Sequence, residues 1–513
     1  MPSITNAALI GLVAAVGATA WKDQCEGFKA NIPNVTMKST YYPAGALVNL
    51  TSPSSGVNTN TMPAFCRLAL TITTNVTSGN QALTEVWMPD AWNNRLLGFG
   101  NGGLSGGVVY SSLSYDGVLQ GYSSFSTNTG MLSLDTKKAR SDAETHSTGH
   151  QSSPVNGTWA LNNVEAQKDF GYRAFQLSYQ AAKTLTEQYY SKPISKKYYL
   201  GCSTAGRMGL VEAQRYPKDF DGIVIGTPAN PIARLAAWNI YQGRQVLPVN
   251  GTRWISPATW SVIHKEVMKQ CDGIDGLVDN VINDPRQCNF RPEAIACGPN
   301  DDRSTCLTLG QIAAVRALYT DWYSSNGTFI FSRFEPGGEV AYATSYVSGP
   351  NIALGPEYWK NMIFSDPKWD YNTLTVDDVF RAIQSNPGEI DNNGFNYTSY
   401  FAGGGKLLHY AGLADQIISS GNSYDTYNAI SAFTKENTNM DPYDYYRFFP
   451  VPVLAAMVDW VEKGKAPTQL IATKYNNNNV TQGVQFTRKL CPYPLKGVYQ
   501  GGDQNSSDSF MCK

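Results

Sequence analysis

Apolar and polar positions alternate with a period of two over Phe65–Ile72 and again over Thr84–Pro89, and the short run Arg95–Gly100 is apolar at its centre. That alternation turns one face of a segment toward a core, so these three stretches predict β-strands. Between 164 and 190 the period lengthens to that of a helix. Lys196–Leu200 then predicts a strand, Arg207–Ala213 a helix, and Gly222-Ile223-Val224-Ile225-Gly226 a short buried strand. Strand, helix, strand in this order is the core of an α/β sheet.

From about 227 to 404 the strand alternation is lost. Aromatic, Asn and Gly residues dominate there, with scattered helices such as Leu309 to Tyr323, and Gly403-Gly404-Gly405 closes the stretch. Lys406–Gly412 and Tyr445–Pro450 then predict two more core strands, the second running almost directly into a helix from Val453 to Gly464. The expectation is an α/β fold with residues 21–226 and 405–513 as the sheet domain. Residues 227–404 form a lid domain inserted above the carboxyl ends of the strands. No internal repeat is visible.

The start of the chain changes the picture of where the protein works. Ala7 to Ala20 is apolar and ends in an Ala-x-Ala-like site before Trp21, which predicts a signal peptide over residues 1–20. The stretch is too short to span a bilayer, and no later segment qualifies. Nine Asn-x-Ser/Thr sequons, at Asn34, Asn49, Asn75, Asn156, Asn250, Asn326, Asn396, Asn479 and Asn505, fit an exported glycoprotein. Nine cysteines fit as well, because outside the cell most should pair. Their spacing suggests Cys25–Cys66, Cys271–Cys288, Cys297–Cys306 and Cys491–Cys512, with Cys202 outside the pairs. A net charge of -1 without a basic run argues against nucleic-acid or membrane-surface partners.

The candidate chemistry centres on Gly201-Cys202-Ser203-Thr204-Ala205-Gly206, at a strand-to-helix junction. A serine between small residues at such a turn is how α/β-hydrolases expose a nucleophile above the sheet. Ser203 is therefore the candidate nucleophile, although Ala205 stands where the stricter pattern has glycine. The competing reading is a helix N-cap serine. The glycine-rich loop Asn101–Gly107 follows a strand. Its Gly102 N–H and the N–H of Thr204 are candidate oxyanion donors, since glycine lets backbone come close to a developing charge. Asp415 lies just past a late strand, where the acid of a triad belongs, and the order Ser…Asp…His then requires a later histidine. None exists. The four histidines are His146, His150, His264 and His409, and His409 sits inside a strand, as a structural residue would. Finally, Asp272, Asp275 and Asp279 place three carboxylates within eight residues. Clustered hard oxygen donors suit Ca²⁺, though the spacing is not that of an EF-hand.

Taken together the chain resembles the fungal tannase and feruloyl esterase family over roughly residues 25 to 500. The matching segments are Phe65-Cys66-Arg67, Trp87–Asn93, Gly100–Leu104, Asp169–Ala174, Tyr199–Ser203, the acidic loop from Cys271, His409–Asp415 and Trp460–Pro467. The resemblance implies an α/β-hydrolase fold with a lid. It also implies extracellular hydrolysis of plant phenolic-acid esters by a Ser–Asp–His triad that includes Ser203 and Asp415. A structural calcium is implied too, held by Asp272, Asp275 and Asp279 with the carbonyls of Leu277 and Val281. In the family the cysteine beside the serine bonds a cysteine beside the catalytic histidine. Here the Gly-x-x-His-Cys segment that should follow a strand like Tyr446–Pro450 is missing. The family's Thr-Gly-His run is also split, with Thr129-Gly130 parted from His150 by Met131–Gly149. One lost and one gained segment are what misplaced splice junctions yield. The chain as written is expected to turn over weakly; the alternative expectation is a binding protein for phenolic esters or wall polysaccharide.

Overall fold

The computed structural model describes residues 19–130, 154–345, 347–348, 354–392, 394–449 and 454–513. Residues 1–18 of the stretch expected to be a signal peptide, the segment Met131–Gly149 with His146, then His150, and the short run 450–453 lie outside the described residues. Two compact units can be distinguished. One ends at Met208 and includes Pro387–Ile390; the other comprises Gly209–Asn386 and Asp391–Lys513.

Six strands of the first unit share one sheet: β1 (Val35–Tyr42), β2 (Phe65–Asn75), β3 (Asn80–Pro89), β4 (Arg95–Phe99), β5 (Ser123–Thr127) and β6 (Lys196–Cys202). They lie in the order β1-β2-β3-β5-β4-β6. The meander β1-β2-β3 and the β3–β5 pair are antiparallel, whereas β5, β4 and β6 run parallel. All three strands expected before residue 101 are present, and the Cys25–Cys66 bridge fastens the N-terminal segment to β2. Two strands of this sheet escaped the hydrophobic pattern. β1 is half-buried along most of its length. β5 reads Ser-Ser-Phe-Ser-Thr, yet all five residues are buried. Its hydroxyls explain how: Ser123 bonds Thr186 at 2.7 Å, Thr127 donates to the Leu83 carbonyl at 2.9 Å, and Ser126 accepts from the Val109 N–H at 3.1 Å. Buried polar groups are tolerated when each has a partner. Helix α1 (Ala174–Tyr190) covers this sheet with Phe175 and Tyr179 on Phe125.

Helix α2 (Thr204–Arg215) follows β6 directly. Beyond it the second unit carries three parallel strands, β7 (Gly222–Gly226), β8 (Lys406–Tyr410) and β9 (Tyr446–Phe449), with β8 in the centre. Their buried aliphatic and aromatic runs suit strands covered on both faces. Between β7 and β8 lie mostly helices, as the loss of alternation suggested. Helix α3 (Ile232–Val246) packs its Trp238 against Phe331 and Phe334. Helix α4 (Pro257–Cys271) starts at a Ser256 cap with proline in the first turn. The helix expected over Leu309–Tyr323 is shorter. Helix α5 (Leu309–Leu318) stops at Leu318, and Trp322–Tyr323 instead pair as a strand with Phe329–Phe331. The Asp321 carboxylate accepts the Arg333 N–H at 2.9 Å and holds that turn. All four expected disulfides are formed, and Cys202 is exposed and outside them. Among the described residues no helix is long and apolar enough to cross a membrane.

Candidate active site

Ser203 joins β6 to α2 with φ at +62°. This value separates the two readings of the serine. An ordinary N-cap residue has extended backbone with negative φ, whereas left-handed backbone at a non-glycine residue is strained and needs a surrounding structure that imposes it. Ser203 does begin the helix, since its carbonyl accepts from the Arg207 N–H at 3.1 Å. Its backbone nonetheless has the sharp strand-to-helix geometry of a nucleophile elbow.

The neighbourhood shows what imposes the turn. A Cβ placed on Gly201 would lie 2.7 Å from the Ala205 Cβ, and one on Gly100 would lie 2.8 Å from it. Both facing positions are therefore glycine, which makes room for the methyl of Ala205 where the stricter motif has hydrogen. The Tyr199 hydroxyl donates to the Ala205 carbonyl at 2.5 Å across the turn. One turn further on, the fully buried Arg207 guanidinium donates to the carbonyls of Phe170, Gly171 and Ile390 at 2.9–3.1 Å. The sequence motif did not point to Arg207. A charged residue one turn into an otherwise apolar helix face was the available signal.

The glycine loop is tied to the same helix. The Thr204 hydroxyl donates to the Gly103 carbonyl at 2.9 Å. Gly103 has φ +61° and its missing side chain would overlap the Pro154 carbonyl at 2.5 Å, so only glycine fits there. The Asn101 side chain donates to the Thr127 carbonyl and the Thr129 hydroxyl, and Ser105 folds its hydroxyl onto the Gly102 carbonyl at 2.7 Å. Nothing lies within 4 Å of where a Gly102 side chain would begin. Gly102 thus borders open space at the apex of a braced loop, beside the residue that follows the serine.

In the second unit Asp415 sits in the turn after β8. Its Oδ1 accepts the N–H groups of Ile417 and Ile418 at 2.9 and 3.0 Å, which fixes the carboxyl, and burial raises its pKa above the usual carboxylate value. His409, on β8, is fully buried; its Nδ1 lies 2.7 Å from the Tyr446 hydroxyl, and burial pushes its pKa down to about 3. It is a core residue. His264, on α4, holds its Nδ1 2.8 Å from the buried Glu339 carboxylate, a contact that raises its pKa. The Tyr319 hydroxyl donates to the other oxygen of Glu339 at 2.5 Å.

The acidic loop is closed by Cys271–Cys288. Asp272 is buried and accepts from the N–H groups of Asn280 and Val281; Asp279 accepts from the same Val281 N–H at 3.1 Å and pairs with Arg488. Asp275 accepts from the Leu277 N–H. Burial, and then repulsion from Asp279 and Asp272, raises its pKa. Three mutually repelling carboxylates with hard oxygens have the donor chemistry a calcium ion needs. Their present geometry is not closed on one point, for among the described residues no group of three or more His, Cys, Asp or Glu side chains is arranged to hold a metal.

A strained serine at a strand-to-helix turn, with a parallel β/α scaffold and an acid past a later strand, defines an α/β-hydrolase. Similarity to known proteins makes it a carboxylic ester hydrolase. The sequence profile described as tannase and feruloyl esterase matches residues 66–513. A probable feruloyl esterase B-2 of Aspergillus oryzae is 32% identical, over 98% of this chain and 97% of its own length. The crystal structure of feruloyl esterase B from Aspergillus oryzae is similar with a TM-score of 0.86, at 31% identity over 96% of this chain and 100% of that one. Tannin acyl hydrolase from Aspergillus niger shares the fold, with a TM-score of 0.71 and 21% identity over 96% of this chain and 94% of that one. The chain belongs to the tannase and feruloyl esterase family.

Proposed function

We propose that the protein is an exported serine esterase for plant phenolic-acid esters of the feruloyl or galloyl type. The observation that carries this reading is the left-handed backbone of Ser203, within a chain that matches the family from residue 66 to its last residue. The Ser203 hydroxyl attacks the ester carbonyl, and its proton must pass to a base. The N–H groups of Thr204 and Gly102 stabilise the oxyanion of the tetrahedral intermediate, which collapses to an acyl-serine as the alcohol leaves with the proton returned by the base, and water then hydrolyses the acyl-serine. Asp415 would orient the base, and residues 227–404 would form the lid over the substrate. Ester linkage to small alcohols or to polysaccharide fits the same chemistry.

The base itself is the open position. No histidine follows Asp415 in the sequence, and loss of a triad base lowers kcat by roughly 10⁴–10⁶. This chain should therefore hydrolyse phenolic esters slowly, by oxyanion stabilisation and positioning. Assays on methyl ferulate and methyl gallate, with fluorophosphonate labelling of Ser203, test both statements. Full turnover would remove the claim of impairment, and tight ester binding without any turnover would favour a binding protein.

Export is supported by the four disulfides. Seven of the nine sequon asparagines are exposed; Asn75 and Asn156 are half-buried. Calcium at Asp272, Asp275 and Asp279, with the carbonyls of Leu277 and Val281, would relieve the repulsion among the carboxylates. Its role would be structural.

A further inference from the structure

The second unit contains a cleft of about 510 Å³, lined by Arg244, Leu247, Pro248, Val249, Tyr371 and Asn372. This volume lies within the roughly 300–1,000 Å³ usual for small-molecule sites. None of these residues entered the sequence argument, and none belongs to the elements that carry Ser203 or Asp415.

The charge in the cleft is unbalanced. Arg244 stands in the last turn of α3, half-buried, and its guanidinium is held by backbone carbonyls: Nη1 donates to Leu374 at 3.0 Å and Nη2 to Tyr371. Its buried Nε–H has no acceptor. Among the described residues no carboxylate lies within ion-pair distance of it. Asp370, the carboxylate that acts on it electrostatically, spends its Oδ1 on the backbone and side-chain N–H groups of Asn372. Desolvation lowers the pKa of Arg244 from the ordinary arginine value, as expected for a cation short of solvent. The rest of the lining combines Leu247, Pro248 and Val249 with Tyr371 and Asn372. A guanidinium without a carboxylate partner, in a cleft that also offers aliphatic and aromatic side chains, suits a flat molecule with one carboxylate at its end.

We propose that this cleft binds an aromatic monocarboxylate of the hydroxycinnamate or hydroxybenzoate kind. Under the proposed esterase reaction such an anion is the acid product, so the site would sense product. The binding claim itself does not depend on catalysis. A neutral ester has no charge to offer Arg244 and should bind this cleft poorly.

Calorimetric titration of the full-length, deglycosylated protein tests the proposal; deglycosylation matters because the sequon Asn250 adjoins Val249. The probes are ferulate, methyl ferulate and glucuronate. Ferulate should saturate a site that Arg244→Gln weakens at least about tenfold, the usual effect of losing a charge-assisted hydrogen bond. Val249→Trp, which fills the cleft from an exposed loop, should weaken it similarly. Each variant is compared at unchanged circular dichroism, and the loop variant decides if Arg244→Gln does not fold. Ferulate affinity and stoichiometry unchanged in the folded variants would overturn the proposal and assign the binding elsewhere. Methyl ferulate binding as tightly as ferulate would overturn the role of charge. Equal binding of glucuronate would replace the aromatic acid with a uronate. Esterase rates measured in parallel keep failure of the catalytic reading separate from failure of this one.

Discussion

The hydroxyl of Thr204 donates to the carbonyl of Gly103 at 2.9 Å, tying the residue after the candidate nucleophile to the glycine loop. The bond links the helix that carries one candidate oxyanion donor, the Thr204 N–H, to the loop that carries the other, the Gly102 N–H. Thr204→Val keeps the shape and removes the donor. It should cost about 1 kcal/mol of stability, read from the denaturant midpoint, and lower kcat on methyl ferulate severalfold with little change in KM.

Ser203 makes stability and catalysis separable. Left-handed backbone costs a residue with a Cβ about 1–2 kcal/mol relative to glycine. Ser203→Gly and Ser203→Ala should both abolish the residual ester hydrolysis. The glycine variant should nevertheless be more stable than the alanine variant by about 1 kcal/mol. Equal stabilities would show that the turn is not strained.

The pH dependence has two signs. His409 has its pKa depressed by burial to about 3. Its contribution to stability is present above the unfolded value of about 6.5 and is lost as pH falls toward 3. Asp415 has its carboxyl raised by burial. Its contribution is therefore full below the unfolded carboxylate value and is lost as pH rises through the folded one. Thermal melts should show Asp415→Asn gaining stability over the wild type as pH rises to neutral, and His409→Gln losing part of the wild type's acid sensitivity.

Calcium should act on stability. Chelation is expected to lower the melting temperature, and Asp272→Asn should remove that response. Elemental analysis of the purified protein without bound calcium, and a melt indifferent to chelator, would reject the site.

Turnover should be recoverable. Inserting a family-type Gly-x-x-His-Cys segment after Phe449 should raise kcat by on the order of 10³ or more. It should also consume the Cys202 thiol, checked by peptide mapping. A transcript that encodes this chain exactly as written would reject the idea of misplaced splice junctions.

What the sequence revealed and what it hid have physical causes. Val224 and Leu408 lie in apolar runs that only a buried strand explains, so the parallel strands were legible. The motif around Ser203 was legible because strand, small residues and helix all had to coincide. The N-cap reading could be set aside only from φ at Ser203, which composition does not encode. Arg244 was invisible and Arg207 left only a charge on an apolar helix face as a signal, because their partners are backbone carbonyls far away in sequence. Ser123–Thr127 was missed because its burial rests on hydroxyl pairing and not on apolar surface.

That polar strand has a consequence for how the first unit finds its alignment. An apolar strand that slips by two residues still presents grease to grease. Ser123, Ser126 and Thr127 each answer a particular partner, so the same slip would strand several buried hydroxyls, at about 1–3 kcal/mol apiece. The correct pairing opposes Phe125 to Gly98, where a side chain would lie 2.7 Å from the ring. Hydroxyls thus act as the teeth of a key and the glycine as its notch. The loop that begins three residues beyond Gly98 inherits its height above the sheet from that lock.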